Sequence, residues 1–520
     1  MADSQENPYD AVPYIDNPYD FTHPRHLETL ATLFGMAPKP ISQCRVLELG
    51  CAGGGNIIPM AVDLPDAQFL GIDLSGRQIE QGCQLIAELG IDNIQIRQVD
   101  ILDVDECWGQ FDYIICHGII SWVPEYVKEK IFEICNHNLA PQGVALISYN
   151  AYPGWHCVRA VRDLMLHHVR HIDDPQEKIA QARSIVRFMA ESSSTDKAAC
   201  KLFEEEFEMM EKSRNDTHLF HEYLEAHNDP FYLHEFVARA ESHGLQYLSR
   251  ANLQGMLPQL FPPDVRDMLE PLPLVEQQQY MDFIRGTRFH RTLLCRKEVA
   301  LNRTLGGEKI MGFHVALTSV LEKVAVNIHN DEVVEFKNED GALKTGNRLS
   351  KAAIIYLKEI FPAFVHFDKL YETVINRLGI SAQQSQADAD SGLETLAANV
   401  MLGMFAGMLK PCLHPPRHVS QLSNRPNVGL LPRLQAARGN LATSRRHSSV
   451  RMNDVMRHVV RRLDGSHGRK DLVESVREAV DSGEIAVTSN GKKVHKVATA
   501  DIATAVDKTL QDVVKMGLLT

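Results

Sequence analysis

The sequence predicts an α/β fold with a Rossmann-like sheet, a helical insertion, and a mainly α-helical C-terminal accessory region. Between residues 45 and 150, short apolar segments alternate with stretches of helical periodicity, which is the pattern of a parallel sheet with crossover helices. The first apolar segment leads into a glycine-rich loop, VLELGCAGGGN, at residues 46–56. Residues 158–225 are helical in pattern and highly charged, and strand-like segments follow them.

The predicted sheet is mixed and contains seven strands, between roughly residues 40 and 300. Five strands are expected at 45–50, 67–73, 94–100, 111–118 and 143–150, with amphipathic helices between them. Two later segments, at 245–253 and 288–297, are interpreted as strands that complete the same sheet. The helical residues 158–225 would then form a lid above it.

Composition narrows the class of protein. The 520 residues carry a formal net charge of -13, which argues against a chain that coats nucleic acid as a whole. No apolar run approaches the roughly 18 residues needed to span a bilayer, so no membrane insertion is expected. The acidic first twenty residues differ from the basic start of a signal peptide. Ten scattered cysteines without a C-x-x-C pair predict reduced thiols and a cytoplasmic location.

The glycine-rich loop differs from a nucleotide triphosphate loop. A Walker A loop needs Lys and then Ser or Thr after its last glycine, whereas Asn56, Ile57 and Ile58 follow here. Glu48, two positions before Gly50, would repel a pyrophosphate and attract an ammonium group. We therefore expect a cationic or zwitterionic ligand, which points to S-adenosylmethionine. A nicotinamide or flavin site is the alternative.

Further candidates lie at the carboxyl ends of the strands, where open α/β sheets bind ligands. Asp73 could accept hydrogen bonds from a ribose diol, and Asp100 could accept one from an adenine amine, with Ile101 beside the ring. His117 would line the crevice near the sulfonium. The predicted cofactor-binding residues are Glu48, Gly50, Cys51, Ala52, Gly54, Asp73, Leu74, Asp100, Ile101 and His117.

Several motifs resemble those of a known family. The segments are RVLELGCAGGGNIIPMA at 45–61, FLGIDLSGRQIEQG at 69–82, FDYIICHGIISWVP at 111–124 and SYNAYPGWH at 148–156. They are similar to class I methyltransferases that carry a methyltransferase regulatory domain, a family that includes the rickettsial protein-lysine methyltransferases acting on outer-membrane proteins. The resemblance covers most of the chain, and the C-terminal third more loosely.

The resemblance implies a class I methyltransferase sheet and a cofactor site at Glu48, Gly50, Gly54, Asp73 and Asp100. It implies methyl transfer from S-adenosylmethionine, with S-adenosylhomocysteine as product and a protein lysine as the leading acceptor. A small-molecule methyltransferase and a non-catalytic S-adenosylmethionine-binding regulator are the alternatives. Ala52 replaces the middle glycine of the general class I loop, which is expected to cost little if its φ angle is negative.

The chain divides into six predicted segments. They are an N-terminal arm over the cofactor site at 1–40, a cofactor-binding core at 41–157, the lid at 158–225, a regulatory or middle domain completing the sheet at 226–300, a winged-helix-like accessory domain at 301–385 and a C-terminal accessory domain at 395–520. A polar linker is predicted at 381–394, which overlaps the end of the fifth segment and leads to the sixth.

An acceptor site is predicted where the fifth strand ends. A lysine amine, with an ordinary pKa of about 10.4, must arrive uncharged, and an aromatic, amide-lined slot suits that task. The substrate-binding candidates are Trp122, Tyr149, Asn150, Tyr152 and Trp155, and the catalytic candidates are His117 as proton acceptor, Tyr149 and Asn150. The alternatives are that the two tryptophans only pack the lid against the sheet, and that His117 only fixes backbone.

Two other features complete the predictions. His218 and His221 lie three apart in HLFHEY without an obvious third ligand, so no metal site is expected. Between Arg417 and Lys470 there are eleven arginines and only two acids, Asp454 and Asp464. An interdomain or solvated face is favoured there over nucleic acid, because no aromatic residues interleave the arginines. A protein substrate is the expected partner, and a homodimer is possible.

Overall fold

A mixed seven-stranded sheet forms the centre of the fold, as the sequence predicts. The computed structural model describes residues 17–192, 198–213, 216–380, 386–419, 421–489, 492–494 and 497–520, so residues 1–16 of the predicted N-terminal arm lie outside the described residues. The strands are β1 Arg45–Leu49, β2 Gln68–Asp73, β3 Ile94–Gln98, β4 Phe111–Cys116, β5 Leu139–Asn150, β6 Leu245–Arg250 and β7 Phe289–Arg296.

The strand order is β3-β2-β1-β4-β5-β7-β6. β1 to β5 pair in parallel, whereas β7 runs antiparallel to both of its neighbours, β5 and β6. The order reverses between β1 and β4, so a crevice opens at the carboxyl ends of these two strands. The glycine-rich loop follows β1 directly and therefore lies at this crevice.

Strand residues alternate between two buried clusters, one on each face of the sheet. Val46 and Tyr113 belong to the first cluster, and Leu47 and Ile114 belong to the second. Both faces are covered, which explains why the parallel strands read as continuous apolar runs.

Four helices flank the first five strands: α1 Pro24–Leu33, α2 Ile57–Asp63, α3 Gly76–Leu89 and α4 Glu125–His137. α3 shows why such helices begin and end where they do. The Ser75 hydroxyl accepts a hydrogen bond from the Gln78 backbone N–H at its start. Gly90, with φ 64°, ends it in the left-handed conformation that glycine adopts at low cost.

The helical insertion lies between β5 and β6. It comprises α5 Gly154–Val169, α6 Pro175–Glu191, α7 Ala198–Ser213 and α8 Asp216–Leu219, followed by a π-helical turn at Phe220–Leu224. Its helices pack on a buried cluster of their own that includes Val161, Met165 and Val186. Three helices follow, α9 Leu233–Ser242, α10 Pro263–Leu269 and α11 Leu274–Arg285, and α9 buries Phe236 against the sheet.

Residues 314–412 build a second unit around a three-stranded sheet of order β11-β8-β12. Its elements are β8 His314–Leu317, β9 Val334–Lys337, β10 Ala342–Thr345, α12 Arg348–Ile360, β11 Val365–His366, α13 Phe367–Leu378, α14 Gln386–Phe405 and β12 Leu409–Cys412. The predicted linker at 381–394 is therefore helical from Gln386 onward, and 381–385 lie outside the described residues. Leu396, Val400 and Phe405 explain the helix, because they are buried in the shared core.

The C-terminal unit has its own buried core, which includes Val459, Val476 and Val506. Its elements are α15 Leu430–Arg438, β13 Leu441–Thr443, β14 Ser449–Arg451, α16 Asp454–Val460, α17 Arg469–Asp481, β15 Val487–Ser489, β16 Lys492–Val494 and α18 Thr499–Lys515. Across the described part of the chain, no helix is both long and apolar enough to cross a membrane.

Candidate active site

The glycine-rich loop is held against β2 through its backbone. The N–H groups of Gly50 and Cys51 both donate to the Ile72 carbonyl oxygen at 2.9 Å. A Cβ atom on Gly50 would lie 2.3 Å from Ile119 Cδ1, and one on Gly71 would lie 2.7 Å from Cys51 Sγ. A side chain at Gly50 in the loop or at Gly71 in β2 would therefore collide with its neighbours, so the loop can lie close against β2.

The condition under which Ala52 would cost little, a negative φ angle, is not met. Its φ is 49°, and the neighbouring Gly50 and Gly54 also have positive values, of 73° and 84°. A left-handed conformation costs a residue with a Cβ about 1–2 kcal/mol. The hydrogen bond from the Ala52 N–H to Asp73 Oδ2, at 2.8 Å, holds the residue in this conformation.

Glu48 is buried at the base of the loop, and Asn56 fixes its side chain. The Asn56 amide nitrogen donates to Glu48 Oε1 at 2.6 Å. The Asn56 amide oxygen accepts hydrogen bonds from the Tyr19 backbone N–H at 3.0 Å and from His447 Nε2 at 2.9 Å. The sequence reasoning missed Asn56 as a site residue, although its place directly after the glycines was a usable signal.

The two predicted strand-end acids lie on neighbouring strands. The Val99 N–H donates to the Asp73 carbonyl oxygen at 3.1 Å, which joins the ends of β2 and β3. The Asp73 carboxylate also accepts from the Ser75 N–H at 2.9 Å, and the Asp100 carboxylate accepts from the Leu102 N–H at 2.9 Å. Backbone donors thus fix the orientation of both acids.

Apolar surface lies beside these acids. The Leu74 side chain is 56% exposed, and Ile101 is half-buried. An apolar surface flanked by two carboxylates can accommodate a flat ring that carries hydroxyl or amine donors.

His117 lies under the N-terminal arm. The rings of Tyr19 and Phe21 meet it edge-on, with centroids 4.3 Å and 5.1 Å away. Its Nδ1 lies 2.7 Å from the hydroxyl of Ser148. Burial, and after it the nearby Arg291 guanidinium, lower the pKa of His117 to about 3. The ring is therefore neutral at pH 7 and is a weak proton acceptor.

Tyr149 does not join the predicted acceptor slot. Its ring is buried in the core and stacks on Phe236 with centroids 4.1 Å apart, and its hydroxyl lies 3.1 Å from Thr292 Oγ1. Successive residues of a strand point to opposite faces, so Tyr149 and Asn150 cannot both face the crevice. Asn150 shares a face with Ser148, which contacts His117.

The other aromatic candidates lie where the insertion meets the sheet. Trp122 and Trp155 make an edge-on contact at 6.4 Å, and both belong to the buried cluster of the insertion. Trp155 is only 3% exposed, and it packs within the core of the insertion itself. Tyr152 is half-buried and stacks on His156 with centroids 4.1 Å apart.

Residues 228–231 approach Asn150 from the far end of the insertion, which the sequence reasoning missed. The Phe231 N–H donates to the Asn150 carbonyl oxygen at 2.9 Å, and the Asn150 amide nitrogen donates to Asn228 Oδ1 at 3.3 Å. The Asp229 carboxylate binds Lys128 Nζ at 2.5 Å. The signal for this segment is its order Asn-Asp-Pro-Phe, in which an amide and an acid precede a turn residue.

Comparisons with known families agree with this geometry. Residues 41–222 match the family described as "Methyltransferase domain", and residues 215–296 match the "Predicted methyltransferase regulatory domain". Residues 424–518 match the "PKMT, C-terminal winged helix domain". The winged-helix match thus falls in the C-terminal unit, after the segment 301–385 for which the sequence pattern suggested such a domain.

Relatives extend the similarity to nearly the whole chain. An uncharacterized protein of Rickettsia prowazekii, RP789, is 34% identical over 506 residues, which cover 94% of this chain and 89% of that protein. PKMT2 from Rickettsia typhi has a similar structure, with a TM-score of 0.86, 27% identity and coverage of 97% of this chain and 100% of PKMT2.

The structure of PKMT2 in complex with AdoHcy, which is S-adenosylhomocysteine, matches with the same TM-score of 0.86. The sheet order, the loop after β1 and these matches agree on one cofactor, S-adenosylmethionine. This chain belongs to the class I S-adenosylmethionine-dependent methyltransferases that carry a methyltransferase regulatory domain.

Proposed function

We propose that this enzyme methylates a protein side chain, with lysine as the acceptor residue. The observation that carries the proposal is an open row of aromatic rings beside the end of β5. Tyr152 lies 5.2 Å from Tyr232, and Tyr232 lies 5.7 Å from Phe283, whose ring is 51% exposed. Such a row can contact a polypeptide and favours ammonium groups, whereas a small molecule would suit a closed apolar chamber. The similarity to PKMT2 supports the same conclusion.

We propose that Glu48 binds the amino group of S-adenosylmethionine and that Asp73 binds its ribose hydroxyls. Leu74 and Ile101 would lie against the purine ring, and Asp100 would accept a hydrogen bond from its amine. The bare backbone next to the ligand comes from Gly50, Cys51, Ala52 and Gly54. These groups fit the cofactor, since carboxylates and bare backbone suit a ligand with positive charge on both nitrogen and sulfur. When bound, the cofactor supplies an electrophilic methyl group on its sulfonium sulfur.

In this proposal His117 does not act as the proton acceptor. Its pKa of about 3 lies far below the ordinary lysine pKa of about 10.4. Proton transfer between them would be uphill by about 10 kcal/mol, at about 1.4 kcal/mol per pKa unit. We infer instead that the amine loses its proton to the bulk solution before it enters the site, which costs about 5 kcal/mol at pH 7 for an ordinary lysine pKa of about 10.4. His117, Tyr19 and Phe21 then exclude water from the reacting centre.

Asn150 and Asn228 would orient the acceptor. The Asn228 amide nitrogen is buried and has no hydrogen-bond partner among the described residues. A buried donor without a partner costs about 1–3 kcal/mol, so it favours a ligand that brings a carbonyl oxygen. The backbone of a bound polypeptide supplies such an oxygen next to its lysine. In this proposal the buried Asn150, which shares a face of β5 with Ser148, would lie where the amine enters.

The test is incubation of the enzyme with isotope-labelled S-adenosylmethionine and a cell lysate, followed by separation of proteins from small molecules. We expect label in protein, and methylated lysine after digestion and mass spectrometry. Asn228→Ala should reduce labelling about tenfold through kcat/KM, whereas Asn424→Ala, at an exposed asparagine of the C-terminal unit, should not change it. Label only in small molecules, or cofactor binding without turnover, would contradict the proposal.

We also propose a cytoplasmic location. The nine cysteines whose side chains the structure describes form no disulfide bond, which is typical of a reducing compartment.

A further inference from the structure

Three distant parts of the chain meet at the side chain of Asn56. One is the N-terminal arm, through the Tyr19 backbone N–H, and the second is β1, through Glu48. The third is His447 of the C-terminal unit, which is 391 residues away in sequence and is buried with 4% exposure. The C-terminal unit thus reaches the base of the cofactor loop.

The hydrogen bonds leave only one arrangement of the Asn56 amide and of the His447 ring. Glu48 Oε1 can only accept, so the Asn56 atom 2.6 Å from it is the amide nitrogen. The Asn56 oxygen therefore faces the Tyr19 N–H and His447 Nε2. Because that oxygen can only accept, Nε2 of His447 must carry a proton.

The turn that presents His447 is fixed on several sides. His447 has φ 57°, a left-handed conformation, and its N–H donates to the Ser444 carbonyl oxygen at 2.9 Å. The neighbouring Arg445 lies 3.7 Å from the Asp63 carboxylate of α2. Arg446 donates to the Leu317 carbonyl oxygen of β8 at 3.0 Å. The turn is therefore anchored to the methyltransferase core and to the second unit at once.

We propose that His447 is a positioning residue for the cofactor: it orients Asn56, and Asn56 holds the Glu48 carboxylate in the conformation that binds the amino group of S-adenosylmethionine. The inference rests on the role of Glu48 in the proposed function. Without the imidazole donor, the Asn56 oxygen keeps only the Tyr19 N–H and the Thr22 hydroxyl, which lies 2.9 Å from it. The amide is then held less firmly, and the orientation of Glu48 is less well fixed. The C-terminal unit thereby contributes to cofactor affinity without touching the cofactor.

The test uses the full chain and measures the Kd of S-adenosylhomocysteine by isothermal titration calorimetry. His447→Gly removes the ring and suits the left-handed backbone, and His447→Asn keeps both that backbone preference and an amide donor. We expect about a five- to tenfold weaker Kd for His447→Gly and partial recovery for His447→Asn. His458→Ala is the matched control, because this buried histidine bonds Ser475 within the same unit, away from the loop. It should lower Tm and leave Kd unchanged.

A double-mutant cycle separates positioning from general destabilisation. In an Asn56→Ala background, His447→Gly should weaken Kd no further. An equal loss of affinity in both backgrounds, or a wild-type Kd for His447→Gly, would overturn the inference. Glu48→Gln distinguishes this failure from failure of the proposed function: a wild-type Kd for Glu48→Gln would show that the cofactor carboxylate itself is assigned wrongly.

Discussion

Glu48 combines burial with a negative charge at the base of the loop. Glu48→Gln keeps the shape and an oxygen that can accept from Asn56, but it removes the charge. Hydrogen bonds to charged groups contribute about 1.5–3 kcal/mol, so the affinity for S-adenosylhomocysteine should fall about 10- to 100-fold in calorimetry. Asp103→Asn, at an exposed acid in the turn after Asp100, is the matched control and should keep the wild-type Kd. A similar loss in both variants would contradict the assignment.

Ala52 carries backbone strain that glycine would relieve. We expect Ala52→Gly to raise the free energy of unfolding by about 0.5–1 kcal/mol. The gain is the left-handed penalty of about 1–2 kcal/mol less the greater entropy of glycine in the unfolded chain. Urea denaturation measures the change. A lower stability would mean that packing of the Ala52 methyl group outweighs its backbone strain.

Some site residues could be predicted from the sequence, and others could not. The strand-end position of Asp73 and Asp100 follows from the sheet topology, which the alternation of strand and helix patterns in the sequence predicts. Strand alternation could have separated Tyr149 from Asn150, since adjacent residues face opposite sides. Asn228 and His447 could not be placed, because their contacts with Asn150 and Asn56 join segments 78 and 391 residues apart.

At the scale of elements, the arm at residues 19–22 covers one side of His117. Besides its contact with His117, the Phe21 ring lies 4.1 Å from the Arg291 guanidinium. Phe21→Ala should admit water to His117 and move its pKa from about 3 toward the ordinary value of 6.5. Titration of labelled histidine by NMR measures the pKa. Phe188→Ala removes a ring that is 61% exposed on α6, and should leave the His117 pKa unchanged. An unchanged pKa in Phe21→Ala would contradict this role of the arm.

The sheet was predictable because each strand and its flanking turn are local in sequence. All seven predicted strands form, and most of their ends lie within two residues of the prediction. The extent of the second unit was not predictable, because β12 at 409–412 pairs with β8 at 314–317. A polar segment such as 381–394 suggests a linker, but burial of the apolar end of α14 overrides that local preference.

At the scale of the whole molecule, buried histidines should make stability depend on pH. Burial lowers the pKa of eight described histidines: His23, His26, His117, His290, His314, His418, His447 and His458. A lowered pKa means that the unfolded chain binds more protons below about pH 6.5, so each group stabilises the fold above that pH and loses its contribution as pH falls. Glu28 and Glu222, with pKa values raised to about 7, act in the opposite sense.

The eight histidines outweigh the two glutamates, so the free energy of unfolding should rise by at least about 2 kcal/mol between pH 4.5 and 6.5. Above that pH the histidine contribution is complete. Urea denaturation at a series of pH values measures the trend. A flat or falling profile over this window would contradict the burial of these histidines as neutral groups.

Part of the arginine-rich section at residues 417–470 is an interdomain surface. Arg438 lies 2.6 Å from Glu88 of α3, and Arg445 approaches Asp63 of α2. Within the C-terminal unit, Arg469 lies 2.5 Å from Asp507. Arg438 and Arg445 therefore join the C-terminal unit to the methyltransferase core, whereas the described ion pairs of Arg457, Arg461 and Arg469 lie within the unit.

The strand-like contact between Ala151 and Phe231 has one more consequence. It holds the two ends of the insertion together, so the residues between them form a closed loop of chain. Doubling the length of such a loop costs only about 0.6 kcal/mol of closure entropy. Relatives could therefore gain or lose whole helices there while Asn150 and Asn228 stay side by side.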